Sequence, residues 1–285
     1  MICRAHGRRC FGSESKFRHR PAFTLIEMLV VVAIIGILLA TGLPALKGFG
    51  ESNKMTAAAR QLQDDVAYAR QRAINTRSHV FLVFIPPTLV SDARLLAALN
   101  LQNPPNAAGL TESEKNAVTN LFGGQYTTYA LFTRRNVGEQ PGQQNPHYLT
   151  PWRTLPEGMA VAREKFVFDP ARMTTFPDVS RPFTTNEFPF PKARSPLPIL
   201  LPYIEFDSRG RVVSEPEPNK PGIYQDAVIP LTRASIFYAR DGGGNFTAAA
   251  ADIQETPPGA SSNNITRVRV DWLTGRTKLE RPEIR

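Results

Sequence analysis

One apolar run near the N-terminus constrains this chain more than any other feature. Nineteen consecutive residues, Met28 to Leu46, carry no charge. As a helix with a rise of about 1.5 Å per residue, the run nearly spans the ~30 Å hydrocarbon core of a bilayer. Glu27 stands immediately before the run, and Pro44 lies near its end. A carboxylate therefore lies where hydrocarbon would surround it.

Two ordinary kinds of segment explain part of this pattern. A cleaved secretory signal peptide could use the small residues Ala40 and Gly42 as its cleavage site, but its apolar region would be unusually long and would contain Glu27. A plain signal anchor fits the length and the basic flank, and it leaves Glu27 unexplained. A charge in a membrane segment costs about 2.5–3.5 kcal/mol on insertion scales. We therefore expect Glu27 to have a functional partner, although its position also permits contact with lipid headgroups.

The residues around the run resemble the N-terminus of type IV prepilins and type II secretion pseudopilins. Small and basic residues precede the stretch FTLIEMLVVVAIIGILLA, and Pro44 follows it. The resemblance implies that a prepilin peptidase cleaves between Ala22 and Phe23 and methylates the new N-terminus at Phe23. Pro44 occupies the place where these proteins carry a helix-kinking proline. The chain departs from the family at Ala22, where a glycine is usual.

The same resemblance gives Glu27 a role in assembly. Cleavage creates an α-amino cation at Phe23, and the family pairs this glutamate with the N-terminal amine of a neighbouring subunit. A paired charge fixes register and an unpaired one is costly to bury, so Glu27 is expected to specify assembly more than to stabilise the monomer. The implied partners are the peptidase, other pilins or pseudopilins of one filament, and the inner membrane.

Charge predicts the orientation of the chain. The formal net charge is +9, and residues 1–22 hold six Lys or Arg against one Glu. The leader is therefore expected to stay cytoplasmic, which makes this a single-pass inner-membrane protein with a periplasmic C-terminal domain. No basic stripe interleaved with aromatic residues follows, so nucleic acid is not an expected partner. Cys3 and Cys10 flank His6 in the leader, which is a poor zinc site without a second cluster.

Periodicity predicts an α+β fold, in which a long N-terminal helix packs on an antiparallel sheet. The resemblance implies that this fold is pilin-like and that the first half of the helix is embedded in the membrane. We divide the chain into a cleaved leader (1–22), a transmembrane helix (23–47), its amphipathic continuation (48–78) and a periplasmic β-rich domain (79–285). The continuation has an apolar face, with polar residues opposite it, formed by Met55, Ala59, Leu62, Val66, Ala69 and Ala73. Apolar runs predict strands at 79–85, 129–132, 165–168, 203–206, 227–231, 235–239 and 266–272.

Two short stretches of similar sequence predict hairpin turns. The stretches FDSRGRV (206–212) and VDWLTGRT (270–277) each place an aspartate, Asp207 or Asp271, a few residues before Gly-Arg. Aspartate favours the start of a turn and glycine supplies positive φ. Together with LQDDVAYARQRAINTRSHVFLVF after the anchor, these turns resemble the soluble domain of pseudopilin H and of FimT-type minor pilins.

The middle of the chain is longer than a minimal domain of that type needs. We interpret residues 86–202 as a long insertion that projects from the sheet, because its prolines cannot donate ladder hydrogen bonds. Within it, 91–102 and 111–124 predict two short helices, the second with a Thr111/Glu114 capping box. On this interpretation a short linker replacing residues 91–124 would preserve the fold.

The sequence favours a structural subunit over an enzyme. It has no nucleophile elbow, zincin or P-loop motif and no evident pair of catalytic carboxylates, so neither catalytic residues nor cofactors nor a metal site are expected. The loop DGGGNF (241–246) is a weak calcium candidate with too few oxygen ligands. The alternative function is a signal-anchored periplasmic binding or adhesin domain that does not assemble, which would have no need of Glu27 or of cleavage before Phe23.

Overall fold

The computed structural model describes residues 24–99, 110–136, 139, 145–170, 181–195, 197–213, 225–244, 246–260 and 266–281, without the side chains of residues 40–52. The chain divides into two compact units, Met1–Phe49 and Gly50–Arg285. Among the described residues the fold is α+β, with an N-terminal helix and antiparallel sheets, which confirms the predicted class.

Helix α1 spans Leu25–Thr76 and comprises 52 residues. Its second half has the predicted amphipathic pattern. Ala59, Leu62, Val66, Ala69 and Ala73 are fully buried, Met55 is partly buried, and polar residues of the opposite side such as Arg60 and Asp64 are exposed. The small alanines allow the helix to lie close to the strands that it covers.

The larger sheet has seven antiparallel strands. Its order is β3 (His147–Tyr148), β2 (Thr128–Thr133), β1 (Val80–Phe84), β7 (Pro198–Phe206) and β6 (Thr184–Pro189), with β4 (Arg153–Thr154) paired to β2 and β8 (Val212–Val213) paired to β7. Strand β1 lies in the middle and is buried along its whole length, which explains its unbroken apolar sequence VFLVF.

The smaller sheet has five antiparallel strands. Its order is β10 (Asp252–Glu255), β9 (Ala227–Phe237), β11 (Thr266–Val270) and β12 (Thr277–Glu280), with β5 (Met159–Val161) paired to β9. The two apolar runs predicted as separate strands at 227–231 and 235–239 form the single strand β9. Its first part pairs with β11 through the register Ile229↔Val268, and its last part pairs with β10.

One hydrophobic core joins the second half of α1 to both sheets. The buried helix residues contact Leu82, Leu131 and Phe206 of the larger sheet, and Ile229 and Val268 of the smaller one, in one continuous cluster. Full burial of a Leu or Val side chain contributes about 1.5–3 kcal/mol, so this helical segment is an integral part of the domain.

A second core lies on the other face of the larger sheet. Two helices, α2 (Ala93–Leu99) and α3 (Glu112–Phe122), and the 3-10 helix Pro87–Ser91 cover Phe81, Val83 and Phe132. Helix α3 begins at the predicted Thr111/Glu114 capping box and ends at Gly123. Both short helices therefore form where the sequence predicts them.

The prediction that residues 86–202 project from the sheet is wrong. Strand β2 from this segment pairs with the central strand β1, and its Tyr129 and Leu131 lie in the core beneath α1. Among the described prolines of this segment, Pro189 and Pro198 face one another at the ends of β6 and β7, and Pro202 lies within β7 opposite Thr185.

The strand predicted at 165–168 is also wrong. Residues Arg163–Lys165 form a 3-10 helix, and Phe166 continues the turn by donating its N–H to the Arg163 carbonyl. The Phe166 ring instead packs edge-on against Phe84 and Tyr126. The segment KFVF is therefore part of a tight turn in which Phe166 packs inward and Phe168 is exposed.

Candidate assembly site at the start of the long helix

Helix α1 begins at a reciprocal pair of hydrogen bonds between Thr24 and Glu27. The Glu27 N–H donates to the Thr24 hydroxyl at 3.3 Å, and the Thr24 N–H donates to the Glu27 carboxylate at 3.0 Å. The Thr24 hydroxyl also donates to the same carboxylate oxygen at 2.9 Å. This is a capping box, which satisfies donors that every helix start leaves open.

The first turns of α1 are apolar on every side. Large hydrophobic side chains from Leu25 to Leu39 are all exposed, from 46% at Val31 to 84% at Leu25. A helix that is apolar all round is normally buried, whereas the described residues of the chain leave this segment uncovered. Glu27 is the one charged residue between positions 24 and 39, and its side chain is exposed as well.

In the part of the chain that the structure describes, no helix combines the length and the apolar content that crossing a membrane requires.

The other predicted site residues are placed only in part. Ala22 and Phe23, the predicted cleavage and methylation positions, lie outside the described residues. The backbone is helical at Pro44, whose side chain is not described, and the predicted kink there stays a prediction. Of the predicted site residues, only Glu27 therefore has a described environment, and the sequence analysis had not identified its contact with Thr24.

A buried polar network ties the second half of α1 to strand β2. The Tyr129 hydroxyl donates to the Asp65 carboxylate at 2.7 Å and accepts from the Gln61 amide at 2.9 Å. Arg153 of β4 forms an ion pair with the other Asp65 oxygen. Burial, and then the hydrogen bond to Asp65, raise the pKa of the Tyr129 hydroxyl, so it remains a donor. The network fixes one rotational setting of the helix against the sheet.

The two predicted hairpin turns, at 206–212 and 270–277, both contact helix α1. Asp207 accepts hydrogen bonds from the N–H groups of Arg209 and Arg211, and Asp271 accepts from Thr274, so both hairpin predictions are confirmed. The Val212 N–H donates to the Trp272 carbonyl at 2.9 Å, which links one turn to the other.

Glycine makes this junction possible. Gly210 and Gly275 have φ of 76° and 62°. A Cβ at Gly210 would lie 2.7 Å from Ile74 of α1, and one at Gly275 would overlap the Gly210 carbonyl oxygen. The Arg70 Nε of the helix donates to the Thr274 carbonyl at 2.6 Å. We call the contact of these two turns with α1 the turn junction.

The turn aspartates are held as anions. Burial acts to raise the pKa of Asp207, but hydrogen bonds from Arg211 and Arg209 outweigh it and hold the pKa below its usual value. Hydrogen bonds from Thr274 lower the pKa of Asp271. Both carboxylates therefore serve as turn acceptors, in agreement with the predicted structural role.

The glycine-rich loop after β9 is a short hairpin. Arg240 and Phe246 form an isolated bridge, and the Asp241 carboxylate accepts from the Gly243 N–H at 2.9 Å. The Arg240 guanidinium lies 4.1 Å from the centre of the Phe246 ring and donates to the Gly244 carbonyl. A cation of the protein thus lies across the loop that was the weak calcium candidate.

Comparison with family models finds one match, the prokaryotic N-terminal methylation motif, over residues 17–43. Comparison with curated proteins finds no similar protein, and comparison with solved structures finds none either. The matched motif contains the predicted cleavage position, Glu27 and most of the exposed apolar helix. It supports a type IV pilin-like precursor, and it implies processing by a prepilin peptidase and assembly with other pilins.

Proposed function

We propose that the chain is a minor structural subunit, a pseudopilin, of a type II secretion or type IV pilus-like filament. It enters the inner membrane through residues 23–47, loses its leader between Ala22 and Phe23, and is methylated at Phe23. The observation that carries the proposal is the methylation motif at 17–43, which coincides with a helix whose apolar side chains the described residues leave uncovered.

The proposal accounts for the exposed apolar helix in two stages. Lipid covers residues 23–47 before assembly, and the corresponding helices of neighbouring subunits cover part of them afterwards. The basic leader stays in the cytoplasm, and residues from Gly48 onward face the periplasm, because Lys or Arg residues concentrate on the N-terminal side.

Glu27 has two separable roles in this account. Its carboxylate caps its own helix through Thr24, and its charge pairs with the α-amino group of Phe23 on a neighbouring subunit. The capping role needs only an acceptor, which glutamine also supplies at this position of a capping box. The pairing role needs the negative charge, because an ammonium buried without its counter-ion costs several kcal/mol.

Glu27→Gln therefore tests the charge without removing the cap. In native cells we expect the variant to be cleaved normally but to be lost from sheared or cross-linked filament material. Thr24→Val is the matched control, because it removes the cap and leaves the charge. We expect it to assemble. Normal assembly of Glu27→Gln, or equal loss from both variants, would contradict the charge-pairing role.

The assignment to the pseudopilin H or FimT type is a finer proposal. It is supported by the order of elements, in which a long helix leads directly into β1, and by the two Asp-to-Gly-Arg turns that meet on Arg70 and Ile74.

The proposed role is structural and involves no catalysis. A tether that does not assemble would remain functional when its first 47 residues are replaced by an unrelated signal anchor, whereas a filament subunit would not.

A further inference from the structure

A cleft of about 460 Å³ opens at the end of α1, within the unit Gly50–Arg285. It is lined by the stretch that leads from the end of α1 into β1, by the segment after β2 and by the end of β7. The lining includes four basic side chains and one carboxylate: Arg77, His79, Arg134, Arg135 and Glu205. The volume is in the range of clefts that hold a side chain or a small ligand.

Glu205 is the single carboxylate among the described residues that line the cleft, and it already has a partner. Glu205 accepts a hydrogen bond from His79 Nδ1 at 2.5 Å, and this contact is the main cause of the raised pKa of His79. The nearby Asp207 is occupied by Arg211 in the turn junction. Neither Arg77 nor Arg134 forms an ion pair with any residue that the structure describes. Among the described residues, the positive side chains of the cleft therefore outnumber the negative ones.

An aromatic ring beneath the cleft supports one of its arginines. The Arg134 guanidinium lies 5.3 Å from the centre of the Phe81 ring, and Phe81 is almost fully buried beneath it. Stacking on an aromatic face holds a guanidinium in place and leaves its edge N–H groups available for a planar acceptor.

Arg77 lines the cleft in a strained backbone conformation. It follows the last turn of α1 with φ of 47°, and Ser78 N–H donates to the Ala73 carbonyl as in a standard helix end. Glycine is the usual residue at such a position, and a residue with a Cβ costs about 1 kcal/mol more there. Strain of this kind concentrates at functional sites, where the side chain has a use that offsets the cost.

We propose that this cleft binds a carboxylate side chain from an acidic peptide segment of a partner protein, through the guanidinium groups of Arg77 and Arg134. A glutamate side chain is long enough to enter a cleft of this size, and its planar carboxylate matches the paired N–H donors of a guanidinium group. A flat anionic bilayer surface cannot reach into this concave site.

The test is a titration of the full chain, in non-ionic detergent, with a fluorescent capped peptide of alternating glutamate and glycine. We expect saturable binding that Arg134→Gln and Arg77→Gly each weaken about tenfold or more, in line with the loss of a charge-assisted hydrogen bond. Arg60→Gln is the matched control, because it removes the same charge from an exposed position of α1 outside the cleft. We expect it to bind within twofold of the parent chain.

Arg77→Gly adds a second readout that a purely structural role would not give. Because glycine relieves the positive φ, the variant should unfold at a higher denaturant concentration than the parent chain while it binds the peptide less tightly. Absence of saturable binding, or an equal loss in Arg60→Gln, would overturn the proposal. Displacement of the peptide by inorganic phosphate at lower concentration than by glutarate would also overturn it, in favour of a small-anion site.

Discussion

Gly275→Ala is the substitution for which the structure gives the clearest magnitude. At φ of 62° an alanine costs about 1 kcal/mol in backbone conformation. Its Cβ would also overlap the Gly210 carbonyl oxygen, inside the 3.0 Å limit that Cβ atoms essentially never cross. That neighbour is backbone held by the other turn, so it cannot move away as a flexible side chain would.

Relief of this overlap requires the two turns to separate. Separation lengthens the bonds from Arg70 to the Thr274 carbonyl and from Val212 N–H to the Trp272 carbonyl. Each contributes about 0.5–1.5 kcal/mol. We therefore expect a loss of about 3 kcal/mol for Gly275→Ala. Gly158→Ala is the matched control, because Gly158 has φ of 81° and no atom within 4 Å of an added Cβ, so it should lose only about 1 kcal/mol.

The assay is urea unfolding of a chain that starts at Glu51, followed by far-UV circular dichroism. Both hydrophobic cores lie entirely within residues 55–285, so we expect this shorter chain to fold cooperatively. If Gly275→Ala and Gly158→Ala lowered the free energy of unfolding equally, the turn junction would not contribute the stability that its contacts imply.

Three further predictions concern the same domain. Tyr129→Phe leaves the buried Asp65 without one donor and should lower the free energy of unfolding by about 1–3 kcal/mol. Tyr68→Phe, at an exposed position, should leave it almost unchanged in the same urea assay. The contact with Glu205 raises the pKa of His79 in the folded protein. The stabilisation that this contact gives is therefore complete below the ordinary histidine pKa of about 6.5, and it is lost as the pH rises through the folded-state pKa. His79→Gln should remove that part of the pH dependence of stability. Replacement of residues 91–124 by a Gly/Ser linker should abolish the cooperative transition, because it uncovers the second core.

Periodicity was sufficient to predict the elements with a long or regular pattern. The buried face of α1 repeats at spacings of three and four over five turns, and β1, β2 and β7 have dense runs of β-branched and aromatic residues. Short edge strands such as β3 and β4 have only two residues each and no apolar pattern, so nothing in their sequence distinguishes them from loop. Their formation depends on the free edge of β2, which is a tertiary contact.

Contacts between residues that are close in sequence could be predicted, whereas contacts between distant residues could not. The capping box at Thr24 and Glu27 has the same spacing as the one recognised at Thr111, and its signature was present in the sequence. A charge at position 65, on the buried face between Leu62 and Val66, likewise indicated a buried polar contact, but its partner Tyr129 is 64 residues away. The cleft at the end of α1 joins three separate segments of the sequence, and no spacing along the chain encodes it.

The most direct test of the account is the intact mass of the protein purified from its own membranes. Cleavage before Phe23 and N-methylation predict a chain that starts at Phe23 and carries one additional methyl group. Ala22→Gly should be processed at least as completely, since it restores the residue usual before the cut. A chain that still begins at Met1 in assembled material, or one that begins after Ala40, would contradict the proposal that this is a filament subunit.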